Sequence, residues 1–242
     1  MDELLGDYGL SVSRMAVSQS NWREDETLSA QINVMSRRQR YQAAYFALRR
    51  LQMPLVDIEM PTDWGVDPVA LNSLLREGVE RLDGEANEGI ERAIAELCSA
   101  PLFESQVDPE FAESFQLEAI NGWLMLGEAL GEMSVIQTER IISLAREMAD
   151  YLDSCMDSSL TVVDGGARRE SYLADVNSRL SAYGLGYFGT RNLQVERDCH
   201  ESILAAPSGE DLLSSNAGHR LVTACDEYSG ELSSALRAFI VE

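Results

Sequence analysis

The chain has 242 residues, 45% apolar and 25% charged, so it is long enough to bury a core without disulfides or metals and too apolar to remain unfolded. Its 41 acids face only 19 bases, a formal net charge of −22 that sets most of the surface against nucleic-acid backbones and anionic membranes. Every base is an arginine, and the absence of lysine removes Schiff-base chemistry, a lysine general base and any phosphate-cradling lysine.

Residues 1–26 read as an arm, with Leu4, Leu5, Leu10 and Trp22 as its apolar anchors and a polar end from Asn21 to Glu26. They show no basic start followed by an apolar run, so no secretory signal is expected. Thr27 is placed to cap a helix running to about Gln52, with Leu28, Ile32, Met35, Tyr41, Tyr45, Leu48 and Leu51 on its apolar side, ended by Pro54. Asp67-Pro68 opens the next helix, with the carboxylate as cap and the proline at the first helical position. Ile90, Ile94 and Leu97 mark a short helix stopped before Pro101, and Asp108-Pro109 repeats the same opening signature. The helix it announces is apolar nearly all round between Ile120 and Leu126, which predicts a central position. Ser134 and Gln137 have capping-box spacing, and Ile141, Leu144, Met148, Tyr151 and Leu152 form the stripe that follows. After the break at Asp164-Gly165-Gly166, helical segments are expected near 167–183, 190–205 and 218–240. The last carries the stripe Leu221, Cys225, Tyr228, Leu232, Leu236 and Phe239. No segment alternates with period two. The expected fold is therefore all-α, an antiparallel multi-helix bundle of about eight helices without a sheet. Residues 27–160 form its core, and residues 161–242 complete that core or form a small second lobe.

Charge is unevenly placed. From Thr27 to Val56 there is no acid but five arginines, Arg37, Arg38, Arg40, Arg49 and Arg50. From Glu77 to Glu118 there are twelve acids and two arginines. Either the basic helix lies against the acidic part of its own molecule, or the two are interaction faces of opposite sign. On the second reading the partner-binding residues are Glu77, Glu80, Asp83, Glu85, Glu88 and Glu91 with Arg37, Arg38 and Arg40.

Motifs that carry chemistry are sparse. Gly184-Leu-Gly186-Tyr-Phe-Gly189 matches a dinucleotide fingerprint literally but follows a helix rather than a strand, so it reads as a helix–helix connection with two aromatics packed down. Cys199, His200, His219 and Cys225 can be drawn as zinc ligands, yet adjacent Cys199 and His200 leave a helix in different directions, and Cys225 sits in an apolar stripe. The four cysteines, with Cys98 and Cys155, lack CxxC spacing and read as free thiols. Glu118 and Glu128 lie in or beside the most apolar helix, where burial would make a carboxylate a functional candidate. No catalytic, metal or cofactor residue is assigned.

The stretch Tyr41-Gln42-Ala43-Ala44-Tyr45-Phe46-Ala47, then Pro54, Trp64-Gly65, Asp67-Pro68, Leu71, Leu75, Val79, Leu82 and Gly84, resembles the first half of the YjaG-like bacterial family of unknown function. Ala119-Ile120-Asn121 with Leu124 and Leu126 is similar to that family's central helix, and the likeness covers about residues 40–155. Val66 is inserted in the Trp-Gly-Asp order, and Asn121-Gly122 stands where Asp-Ala is expected. The resemblance implies an all-helical fold and carries over no functional residue.

The reading is a non-enzymatic, cytoplasmic, acidic protein-binding protein whose partner has a basic surface, in its specific form an inhibitor or immunity-type protein masking a basic site. Nucleic acid, membrane and cofactor are not expected partners. The alternatives are an enzyme with an unrecognised helical active site and a structural or oligomeric helical domain.

Overall fold

A computed structural model describes residues 26–80, 85, 87–103, 109, 111–162, 186–207 and 212–239. Among them the chain forms nine α-helices joined by turns and short 3-10 segments, with no strand.

The stretch from Thr27 to Gln52 is two helices. α1 (Glu26–Val34) stops, and α2 (Arg37–Arg49) restarts the chain one turn later. Ser36 is the reason. Its Oγ accepts from the Gln39 N–H at 3.3 Å, and the Gln39 side chain accepts from the Ser36 N–H at 2.9 Å, a reciprocal capping box. α3 (Met53–Asp57) and a 3-10 turn (Thr62–Trp64) lead to Gly65, whose φ of 59° suits a residue without a Cβ. α4 (Pro68–Glu80) opens as its Asp-Pro signature predicts, with Asp67 Oδ1 accepting from the Val69 N–H at 2.8 Å. α5 (Glu88–Cys98) is capped by Asn87, which accepts from the Gly89 N–H at 2.7 Å.

α6 (Ala112–Glu128) begins later than Asp108-Pro109 announced. Phe111 stands at its N-terminus with φ 42° and sets its ring 6.3 Å from that of Tyr151; Asp108 lies outside the described residues. α7 (Val135–Val162) carries the expected capping box, with Ser134 N–H donating to Gln137 Oε1 at 2.9 Å and Gln137 N–H to Ser134 Oγ at 3.2 Å. The segment expected at 167–183 lies outside the described residues. α8 (Tyr187–Ala205) and α9 (Asn216–Phe239) follow, separated by a 3-10 turn (Leu212–Ser214).

α2 occupies the centre. Every residue from Tyr41 to Leu48 is buried, and the helix packs against α6, α7, α8 and α9. α6 shares that position: Phe115, Ile120 and Trp123 are fully buried. A Cβ on Gly122 would stand 2.5 Å from Leu48 and 2.8 Å from Leu144, so the absent side chain sets the closeness of α6 to α2 and α7. The stripe from Leu221 to Leu236 on α9 faces inward, and its residues join one core with those of α2, α6 and α7. Among the described residues no helix is long and apolar enough to cross a membrane.

Candidate functional site

Two groups of charged residues stand out: an exposed acidic edge and a buried polar layer. The edge is built on α5. Ile90, Ala93 and Leu97 face the core, which turns Glu88, Glu91, Arg92 and Glu96 to solvent on the opposite side. A Cβ on Gly127 would run into Ile94 and stand 3.2 Å from Ile90, so the end of α6 lies against α5. That contact brings exposed Glu128 and Glu132 to the same end of the molecule. Exposed Glu85 belongs there too, held by Arg37, whose guanidinium also donates to the Gly131 carbonyl at 2.5 Å.

The remaining residues singled out by charge are placed as follows. Glu77 is half-buried and accepts from the Asn87 side chain at 2.7 Å, which ties α4 to the start of α5. Glu80 closes α4, and Asp83 lies outside the described residues. Arg40 is half-buried and donates to the carbonyls of Met35 and Met133, both at 2.9 Å, bracing the α1–α2 turn against the α6–α7 turn. Arg38, two residues before Arg40, is half-buried. The basic helix thus lies partly against acids of its own molecule: Arg37 on Glu85, Arg49 on Asp226 at 2.8 Å, and Arg50 on Glu196 at 3.3 Å.

The buried layer was not visible as a site in the sequence. Asn192, Glu196 and His200 stand four residues apart on α8, each 1% exposed. Arg146 of α7 approaches Glu196 from one side, with Nε at 3.1 Å and a terminal nitrogen at 2.5 Å. Arg50 reaches it from the end of α2, where a guanidinium also meets the negative end of the helix dipole. Burial holds His200 down at about 4, with Arg50 and Arg146 pushing the same way and Glu196 opposing them. Arg50 Nε and both amide atoms of Asn192 find no hydrogen-bond partner among the described residues. Cys199, one residue before His200, turns toward α9, where its Sγ lies 3.9 Å from that of Cys225. One faint signal of this layer existed: arginines in a stretch with no acid must find their counter-charges elsewhere in the chain.

The other sequence candidates separate. Gly186 is the N-cap of α8, and the amides that follow it are occupied: Asp153 accepts from the Phe188 N–H at 2.9 Å and the Gly189 N–H at 2.7 Å. A carboxylate therefore fills the position a phosphate would take. Phe188 is fully buried, while Tyr187 is half-buried and bonded to Glu231. His219 is exposed on α9, away from the inward-facing Cys225. Among the described residues no three histidines, cysteines or acids gather as a metal site requires. Glu118 is half-buried and Glu128 exposed. A cavity of about 470 Å³ opens between α3 and α4, lined by Leu55, Ile58, Met60, Val66 and Leu71, with Glu59 as the ionisable side chain on its rim.

No family model, curated protein or solved structure matches the chain.

Proposed function

We propose that the chain is a non-enzymatic, cytoplasmic binding protein that docks a basic protein surface on its acidic edge, in its specific form an inhibitor of immunity type covering a basic site. The observation that carries this reading is the outward stripe of α5. Glu88, Glu91 and Glu96 are exposed on α5 with one base, Arg92, among them, at the end of the molecule that also holds Glu128 and Glu132, while Arg37 is paired with Glu85 and Arg40 with backbone carbonyls. Clustered exposed carboxylates steer a cationic partner and fix its register more than they add affinity. The partner is sought by retention from native lysate on immobilised protein at low salt, in parallel with the E88Q/E91Q/E96Q variant. A basic protein held by the wild type, released by salt and bound at least about tenfold more weakly by the variant supports the proposal. Equal retention by both, or none, removes it.

An enzymatic reading has one observation in its favour, the buried amide of Asn192, which finds no hydrogen-bond partner among the described residues and lies two turns along α8 from His200. Glu196, however, is fully engaged by two guanidiniums beneath the surface, and the cavity between α3 and α4 does not include these residues.

A further inference from the structure

Among the described residues, Cys199 and Cys225 are a pair of thiols that the fold brings together from different helices. They stand on successive helices of a hairpin, 0–1% exposed, with sulfurs 3.9 Å apart. Cys225 Sγ also donates to the Phe46 carbonyl at 3.7 Å, so the pair forms a short relay from α8 through α9 to α2. A disulfide needs the sulfurs to close from 3.9 Å to about 2.0 Å.

We propose that Cys199 and Cys225 are an oxidative modification site: a dithiol that hydroperoxides convert to a disulfide stapling α8 to α9. The surroundings divide the roles. Burial raises the Cys225 thiol, but the hydrogen bond from Cys199 and the guanidiniums of Arg50 and Arg49 outweigh it, and the net direction is down. Cys199 goes the other way, pushed well up by its bond to Cys225 and by burial. The first attack is placed on Cys225, the thiol on which the guanidiniums of Arg50 and Arg49 act, and resolution on Cys199; at 0–1% exposure the pair meets peroxide only when the hairpin opens locally. In the first step the Cys225 sulfur attacks a peroxide oxygen. The O–O bond breaks, and the departing hydroxide takes up the Cys225 proton as water, leaving a sulfenic acid. The Cys199 sulfur then attacks the Cys225 sulfur. The S–O bond breaks, and the hydroxyl leaves with the Cys199 proton as a second water. The dithiol loses two electrons, and one hydrogen peroxide becomes two waters. The bond to Phe46 is lost as the staple forms.

The test uses the full chain with exposed Cys98 and half-buried Cys155 replaced, C98S/C155S, so that only the inner pair reports. The folded protein is treated with hydrogen peroxide, then unfolded, alkylated and digested with trypsin without reduction. Cys199 and Cys225 fall in different tryptic peptides because Arg197, Arg220 and Arg237 bound them. The expected result is one joined peptide, a mass lower by two hydrogens, and a melting temperature raised by about 5–10 °C that returns on reduction. Adding C199S should trap a sulfenic acid on Cys225, which a dimedone-type reagent detects. Circular dichroism establishes that each variant is folded before treatment. Two separate alkylated peptides after a dose that oxidises Cys98 in the wild type would overturn the proposal. So would sulfinic acids without a joined peptide.

Discussion

Glu196 is a carboxylate at 1% exposure between two guanidiniums that are equally buried, Arg50 at 1% and Arg146 at 4%. Such a group adds little net stability over an apolar filling, because three desolvated ions must recover what water gave them. Breaking it is another matter. Glu196→Gln leaves two positive charges facing a neutral amide inside the bundle, and urea midpoints should report a loss of about 3–5 kcal/mol. Replacing the whole group, as R50M/R146M/E196L, should cost less than that single change. A triple variant less stable than E196Q would mean the ions contribute more than their desolvation costs.

His200 gives the layer a pH dependence whose sign follows from its burial. Its folded value of about 4 lies below the ordinary 6.5. As pH falls through 6.5 the unfolded chain takes a proton that the folded one refuses until about 4, so stability is full above that window and is lost within it. Between about pH 7 and pH 5 the loss is about 2 kcal/mol. Denaturation of His200→Gln over the same range should show a smaller loss by about that amount. Parallel losses in variant and wild type would place the imidazole in water.

Among the elements, the α8–α9 hairpin is set by a close approach. A Cβ on Gly218 would collide with the carbonyl oxygen of Leu212, which is backbone and cannot swing aside. Gly218→Ala should therefore destabilise by at least about 2 kcal/mol despite alanine's better helix propensity, read by thermal unfolding. A neutral result would show that the Leu212–Ser214 turn can shift without loss. The same scale shows what the sequence could disclose. Asp67-Pro68 and Ser134-Gln137 were legible because each cap acts within three residues of itself. Ser36-Gln39 has the same chemistry, but unbroken apolar spacing on both sides hid it, and the break between α1 and α2 was missed. The centrality of α2 was hidden by its arginines, which lower its average hydropathy although Arg49 and Arg50 sit at its very end. α5's two faces could be read from period alone. The layer of Arg50, Arg146 and Glu196 could not, since its members are separated by up to 146 positions and nothing local marks a partner at that range.

For the molecule as a whole, a net charge of −22 works against compactness, because every exposed carboxylate repels the others at low ionic strength. The exposed pairs, Arg37 with Glu85 and Arg237 with Asp57, are screened by the same salt. Repulsion is the more extensive of the two. The melting temperature should rise by a few degrees between about 20 mM and about 300 mM sodium chloride. A fall would show that the paired surface charges outweigh the surplus. The same surplus makes copies of the chain repel one another at low ionic strength.

Trp64 and Trp123 lie in different parts of this fold, one in the 3-10 turn between α3 and α4, the other midway along α6 against Gly78 and Tyr45. Both are almost fully buried. Their fluorescence is therefore emitted from apolar surroundings and should move to longer wavelength when water reaches them. In a Trp22→Phe background, Trp64→Phe and Trp123→Phe in turn leave one tryptophan each, and the colour of its emission distinguishes loosening of the turn between α3 and α4 from collapse of the interior, and tells whether the bundle melts as one body or from its edge inward.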